Sequence, residues 1–95
     1  KEILALYKEM KQRIRDITRS QYTVQVLDAL FERPIFQTSI FIERSGIPNK
    51  VTANSLLRQL RNAEIIGCLR EASGQRPGIY TFPALLNIAE GRDAF

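Results

Sequence analysis

The residues of this chain best suited to chemistry lie in one run, NKVTANSLLRQLRN, from Asn49 to Asn62. Wound as a helix capped by Asn49, it turns Ala53, Leu56, Leu57, Leu60 and Ala63 to one side. Val51, Asn54, Ser55, Arg58, Gln59 and Asn62 fall on the other. Amide, hydroxyl and guanidinium groups in such a row suit recognition rather than bond making. Arginine can grip guanine, and asparagine adenine, through paired hydrogen bonds, each contributing roughly 1–3 kcal/mol of discrimination in a major groove. Lys50, Asn54, Ser55, Arg58 and Gln59 are therefore the candidate base-facing and phosphate-facing residues, and Lys50, Arg58 and Arg61 are the cations of this helix. Gln37, Thr38 and Ser39 open a shorter helix upstream, where side chains and free amides can hold a phosphate. Arg76, at the tip of an expected hairpin, can reach a phosphate or a minor groove.

Bond-making chemistry is poorly provided for. The absence of histidine removes Ser-His-Asp and Cys-His pairs, His-containing zinc sites and the commonest acid-base group near neutral pH. A single cysteine, Cys68, can form neither an internal disulfide nor a multi-thiolate metal site. Sharing a strand face with Ile66, it reads as a packed thiol. Asp28, Glu32, Glu43, Glu64, Glu71 and Glu90 are spread over separate elements without an acid-base pair, and no glycine-rich phosphate loop follows a strand. No catalytic residue, metal or cofactor is expected.

The elements that must position the polar row follow from spacing and punctuation. Residues 1–20 read as a helix with an apolar stripe at Ile3, Tyr7, Met10, Ile14 and Ile17. That stripe fits packing on the domain itself, on a neighbouring domain, or on a second copy. A helix from about 21 to 33 buries Val24, Val26, Leu27, Leu30 and Phe31, has Ser20 or Thr23 as its cap, and is stopped by Pro34. Ile35 to Gln37 is extended, a short helix capped by Thr38 or Ser39 runs to about Arg44, and Gly46 supplies a left-handed cap. Beyond the helix at 50–64, CLREA and IYTF read as a hairpin over 66–82 whose loop exceeds a tight two-residue turn. Tyr80 and Phe82 anchor it to the core. Pro83 starts a last helix with Leu85, Leu86, Ile88 and Ala89 inward, ending at Gly91, with 92–95 as a tail. This order is that of an α+β, mostly helical winged helix-turn-helix domain, here residues 21–91, preceded by a linker or interface helix.

Ninety-five residues make one small domain. The net charge of +4 favours an anionic partner such as duplex DNA. Basic residues outnumber acidic ones six to three in 1–20, three to one in 49–64 and two to one in 65–82. No apolar run approaches the roughly 18 residues of a membrane span, and the charged opening has no secretory core, so a cytoplasmic, non-membrane protein is expected. The chain opens at Lys1 in mid-pattern and reads as part of a longer polypeptide.

The runs ITRSQYTVQVLDALFERPIFQTSIFIERSGIP, TANSLLRQLRNAEII and RPGIYTFPALLNIAEG closely resemble the C-terminal winged-helix region of Fic family proteins. The resemblance covers roughly Ile14 to Phe95, and the third run is its most specific part. It implies an upstream helical Fic domain of bacterial type that transfers AMP, or occasionally another phosphate-containing group, to a target hydroxyl. The family's HPFxxGNGRxxR loop is absent here, so such transfer would belong to the upstream domain. Glu90-Gly91 looks like the end of the family's inhibitory motif, but Leu86 stands where that motif has Ser or Thr, and no inhibitory role carries over. The resemblance implies a non-catalytic accessory domain joined to the Fic core through the helix at 1–20. Two functions fit it: regulatory DNA binding, and a protein-interaction or dimerisation module that presents targets to the core.

Overall fold

Hydrophobic spacing builds five helices and a three-stranded sheet in the computed structural model, which describes residues 2–90. They are α1 (Glu2–Thr18), α2 (Thr23–Glu32), β1 (Ile35–Gln37), α3 (Thr38–Ser45), α4 (Lys50–Asn62), β2 (Gly67–Arg70), β3 (Ile79–Thr81) and α5 (Pro83–Glu90). The domain is α+β and mostly helical, with β2 and β3 as the hairpin wing. β1 joins as the third strand, giving an antiparallel sheet of order β1-β3-β2. The expected stop at Gly91 and the tail at 92–95 lie outside the described residues, as does the side chain of Ala89. Among the described residues, no helix is long and apolar enough to cross a membrane.

The first helix is part of the domain rather than a linker to it. Leu6, Met10 and Ile14 are buried in the same core as α2, α4 and α5. The expected stripe is therefore only half right: Ile3 is 54% and Ile17 37% exposed, while Leu6 takes an unexpected place inside. Buried residues at intervals of four form the ridge of a helix that crosses its neighbours at an angle, whereas alternating threes and fours suit a near-parallel seam. Tyr7 also turns inward, packing on Phe31 with ring centroids 5.2 Å apart and donating to Asp28 Oδ1 at 2.6 Å. That hydrogen bond, with burial and the Asp28 charge behind it, raises the Tyr7 pKa above its ordinary 10.0. Met10, Ile14 and Tyr7 are thus committed within the chain and are not free to form an external interface.

In α2, Val26, Leu27, Ala29 and Leu30 are buried, but Val24, expected inside, is 42% exposed. Neither expected cap acts on the helix by its side chain: Tyr22 holds the N-cap position, Ser20 Oγ accepts from the Tyr22 amide, and Thr23 Oγ1 donates to the Ser20 carbonyl. The two hydroxyls fix the turn between α1 and α2 instead. Phe36 lies opposite Tyr80, and Tyr80 opposite Cys68, so the three share one sheet face. Phe36 packs on Phe41 at 4.6 Å and on Tyr80 at 6.2 Å. Cys68 is half-buried there.

The fourth helix stops at Asn62 rather than running to Glu64, because Glu64 adopts a left-handed φ of 62°. The Glu64 amide donates to the Arg61 carbonyl at 3.0 Å and the Ile65 amide to the Leu60 carbonyl at 2.9 Å. Buried Ile65 follows buried Leu60, completing a Schellman ending with glutamate where glycine is usual. A left-handed non-glycine residue costs roughly 1–2 kcal/mol, and a carboxylate at a helix C-terminus adds about 0.3–1 kcal/mol. Glycine's greater unfolded-state freedom offsets part of this. Glu64→Gly is expected to stabilise the domain by about 1 kcal/mol, raising Tm by roughly 4–8 °C. An unchanged or lower Tm in thermal unfolding followed by circular dichroism would rule out this account of the helix end.

Candidate nucleic-acid interface

Local hydrogen bonding fixes where α4 begins. Gly46, at a φ of 73°, closes α3 in a conformation that costs glycine little. Ser45 Oγ donates to the Ile42 carbonyl at 2.7 Å and accepts from the Ile47 amide at 3.3 Å, and the Ile47 side chain is buried. Asn49 then caps α4 as its sequence predicts, Oδ1 accepting from the amides of Val51 at 2.8 Å and Thr52 at 3.3 Å. With Ala53, Leu56, Leu57 and Leu60 buried, the opposite face of α4 is held outward.

The candidate residues separate into those the fold brings together and those it does not. Thr38, Ser39, Lys50 and Asn54 line one groove between α3, the start of α4 and the wing. Thr38, Asn54 and Arg58 line an adjoining hollow beneath Tyr80. Five of the nine residues singled out from sequence therefore meet on one surface. Ser55 and Gln59 are half-buried, and Gln59 Nε2 donates to Ser55 Oγ at 3.3 Å, so they serve each other first. Gln37 lies apart, in a depression with Ile35, Ile40 and Arg44. It holds the N-cap position of α3 without a capping side-chain bond, and neither Thr38 nor Ser39 fills that position. Among the described residues, no side chain caps the first amides of α3, beside which Thr38 and Ser39 line the groove.

Arg61 departs most from its sequence reading. Instead of adding a free cation to α4, it reaches the wing, where Nη1 and Nη2 donate to the Glu71 carboxylate at 3.3 and 2.5 Å. Nη1 also donates to the Tyr80 hydroxyl at 3.1 Å, and the guanidinium carbon lies 5.5 Å from that ring's centroid. Lys50 and Arg58 remain as the exposed cations of α4 for which the described residues show no ion pair. The Arg61 clamp, through its hydrogen bond first and its charge second, holds the Glu71 carboxyl below its ordinary pKa of 4.5. A carboxyl lowered on folding contributes stability above its ordinary pKa and loses it as pH falls through the lowered value. The clamp is thus closed at neutral pH and opens only as pH falls through the lowered value. Both partners are exposed, so global stability will move little. The expected signature is a joint shift of Arg61 and Tyr80 NMR resonances on acidification, abolished in Glu71→Gln. Protonation of Glu71 that leaves the Arg61 and Tyr80 resonances unmoved would show the clamp absent in solution.

The wing departs from simple expectation in its tip. Eight residues separate β2 from β3, longer than a tight turn as predicted, yet the tip itself is tight. The Ser73 amide donates to the Arg76 carbonyl at 3.0 Å and the Arg76 amide to the Ser73 carbonyl at 2.9 Å. Gly74, at a φ of 58°, occupies the position where a two-residue turn needs glycine. Arg76 is exposed at this tip, outside the groove lining. Val51, placed outward by its spacing though not among the candidate contact residues, is 77% exposed beside Lys50. Against protein-family models and curated protein sequences, the chain finds no match.

Proposed function

We propose that this domain binds duplex DNA, with α4 in the major groove, the start of α3 against a phosphate and the Arg76 wing tip on the flanking backbone. The observation that carries the reading is the meeting of Thr38, Ser39, Lys50, Asn54 and Arg58 on one exposed surface built from two helices. A helix fits the major groove, about 12 Å wide, and the N-terminal residues of such a recognition helix lie nearest the bases. With Arg58 on a base, Lys50 and Arg76 supply about two phosphate contacts, so the logarithm of affinity should fall against that of salt with a slope of about −1.8. Two copies on a palindromic site would double that slope. The resemblance to Fic proteins supports reading the domain as a regulatory, non-catalytic accessory of a cytoplasmic adenylyltransferase, with any transfer chemistry in the Fic core.

The test is a fluorescence-anisotropy titration of labelled duplex across salt concentrations. Binding with the stated slope supports the reading, and no binding at about 50 mM salt would overturn it. A second reading, docking of a protein segment, is favoured by one observation: Ile42, Ile47, Pro48 and Pro77 give the groove a substantial apolar lining. In that case a target peptide, rather than duplex, would perturb NMR signals of the groove.

A further inference from the structure

The most exposed large hydrophobic residue among those described is Val51, in the first turn of α4. An exposed valine there does nothing for folding: it is removed from the core, and a β-branched residue lowers helix propensity slightly. The residues that follow it along the outer face of α4 are polar or charged. On the outer face of α4, Asn54 follows three residues later and Arg58 seven residues later, with Lys50 adjacent. A single methyl-bearing side chain thus stands at the head of a row of hydrogen-bonding groups.

Resting on the duplex-DNA reading, we infer that Val51 is a specificity-determining residue that reads the C5-methyl group of thymine. That methyl is the apolar feature by which a base pair announces itself in the major groove, and small apolar side chains are its complement. Two further properties favour the match. Valine in a helix is confined almost entirely to one χ1 rotamer, so its methyls are presented in a fixed direction without much loss of freedom on binding. Three residues of helix advance only about 4.5 Å, against a base-pair rise of about 3.4 Å, so Val51 and Asn54 are close enough to contact neighbouring base pairs. The preferred site therefore contains a thymine next to the pair that Asn54 reads, and the ligand is DNA rather than uracil-containing duplex.

The experiment uses sites enriched by this domain from a randomised duplex library. Each thymine of the enriched site is replaced singly by deoxyuridine, which removes only the methyl, and affinity is measured for wild type, Val51→Ala and Asn54→Ala. One thymine should lose three- to tenfold in affinity on replacement with wild type and nothing with Val51→Ala. Asn54→Ala should keep that methyl effect while binding more weakly. Val51 is exposed and alanine is the stronger helix former, so Val51→Ala keeps the fold, and circular dichroism verifies it. Sequence enrichment with no thymine sensitive to its methyl overturns the Val51 assignment and leaves DNA binding standing. Binding without enrichment also overturns it. Failure to bind any duplex removes the DNA reading itself.

Discussion

Alanine at both Lys50 and Arg58 is expected to lower affinity for duplex DNA about 100-fold at low salt and to flatten the salt dependence. Both effects follow from what remains of the surface. Arg61 is tied to Glu71 and Tyr80, so it cannot replace the lost charges without opening the wing. Losing a bidentate arginine-guanine contact costs roughly 1–3 kcal/mol, and loss of the lysine removes a further phosphate contact. With Arg58 on a base, the phosphate contacts fall from two, Lys50 and Arg76, to one, and the salt slope should fall from about −1.8 to about −0.9. Arg33→Ala gives the control, because Arg33 lies in the depression with Ile35 and Ile40 rather than in the α4 groove. Anisotropy titrations of the two variants at several salt concentrations check this. If the double variant matches wild type, α4 is not the DNA-facing helix. If Arg33→Ala costs as much as the double variant, the contact surface has been misplaced.

The same residues show how far a sequence can be read. The polar face of α4 was legible because its apolar positions repeat at helical spacing and Asn49 supplies a cap whose geometry is local. The extended stretch at 35–37 was legible because Pro34 ends α2 by pushing Arg33 out of the helical region, and the branched and aromatic Ile35 and Phe36 follow it. Arg61 was not, since its partners, Glu71 and Tyr80, lie ten and nineteen residues away and meet it only when the hairpin folds back. The register of α1 was hidden for a similar reason. Ile3 and Leu6 are equally apolar, and the crossing of α1 over α2 and α4 decides which is buried. Glu64 misled because a left-handed helix ending is usually announced by glycine, and here glutamate is held there by two Schellman hydrogen bonds.

The largest loss of stability is expected at Phe82, where the wing, the last helix and the core meet. Its side chain is fully buried, and its ring lies 5.4 Å from that of Phe31. Its amide donates to the Pro34 carbonyl at 2.7 Å, and its carbonyl accepts from the Leu86 amide at 3.3 Å. These backbone bonds survive substitution, so Phe82→Ala isolates the side chain. Truncating a buried phenylalanine costs roughly 3–5 kcal/mol, partly for lost burial and partly for the cavity left behind. A domain of this length has only about 5–14 kcal/mol in total. Each kcal/mol lowers Tm by roughly 4–8 °C at this size, so the midpoint should fall by at least about 12 °C. Phe82→Leu keeps much of the volume and should cost less than half as much. Urea denaturation read by circular dichroism distinguishes the outcomes: a lower midpoint at unchanged slope is a loss of native stability. A cost under about 1 kcal/mol would mean that the wing and α5 are not packed through Phe82. At a temperature where the alanine variant stays folded, its DNA affinity should equal that of wild type, because Phe82 contributes nothing to the groove surface and acts only by holding the wing and α5 to the rest of the core.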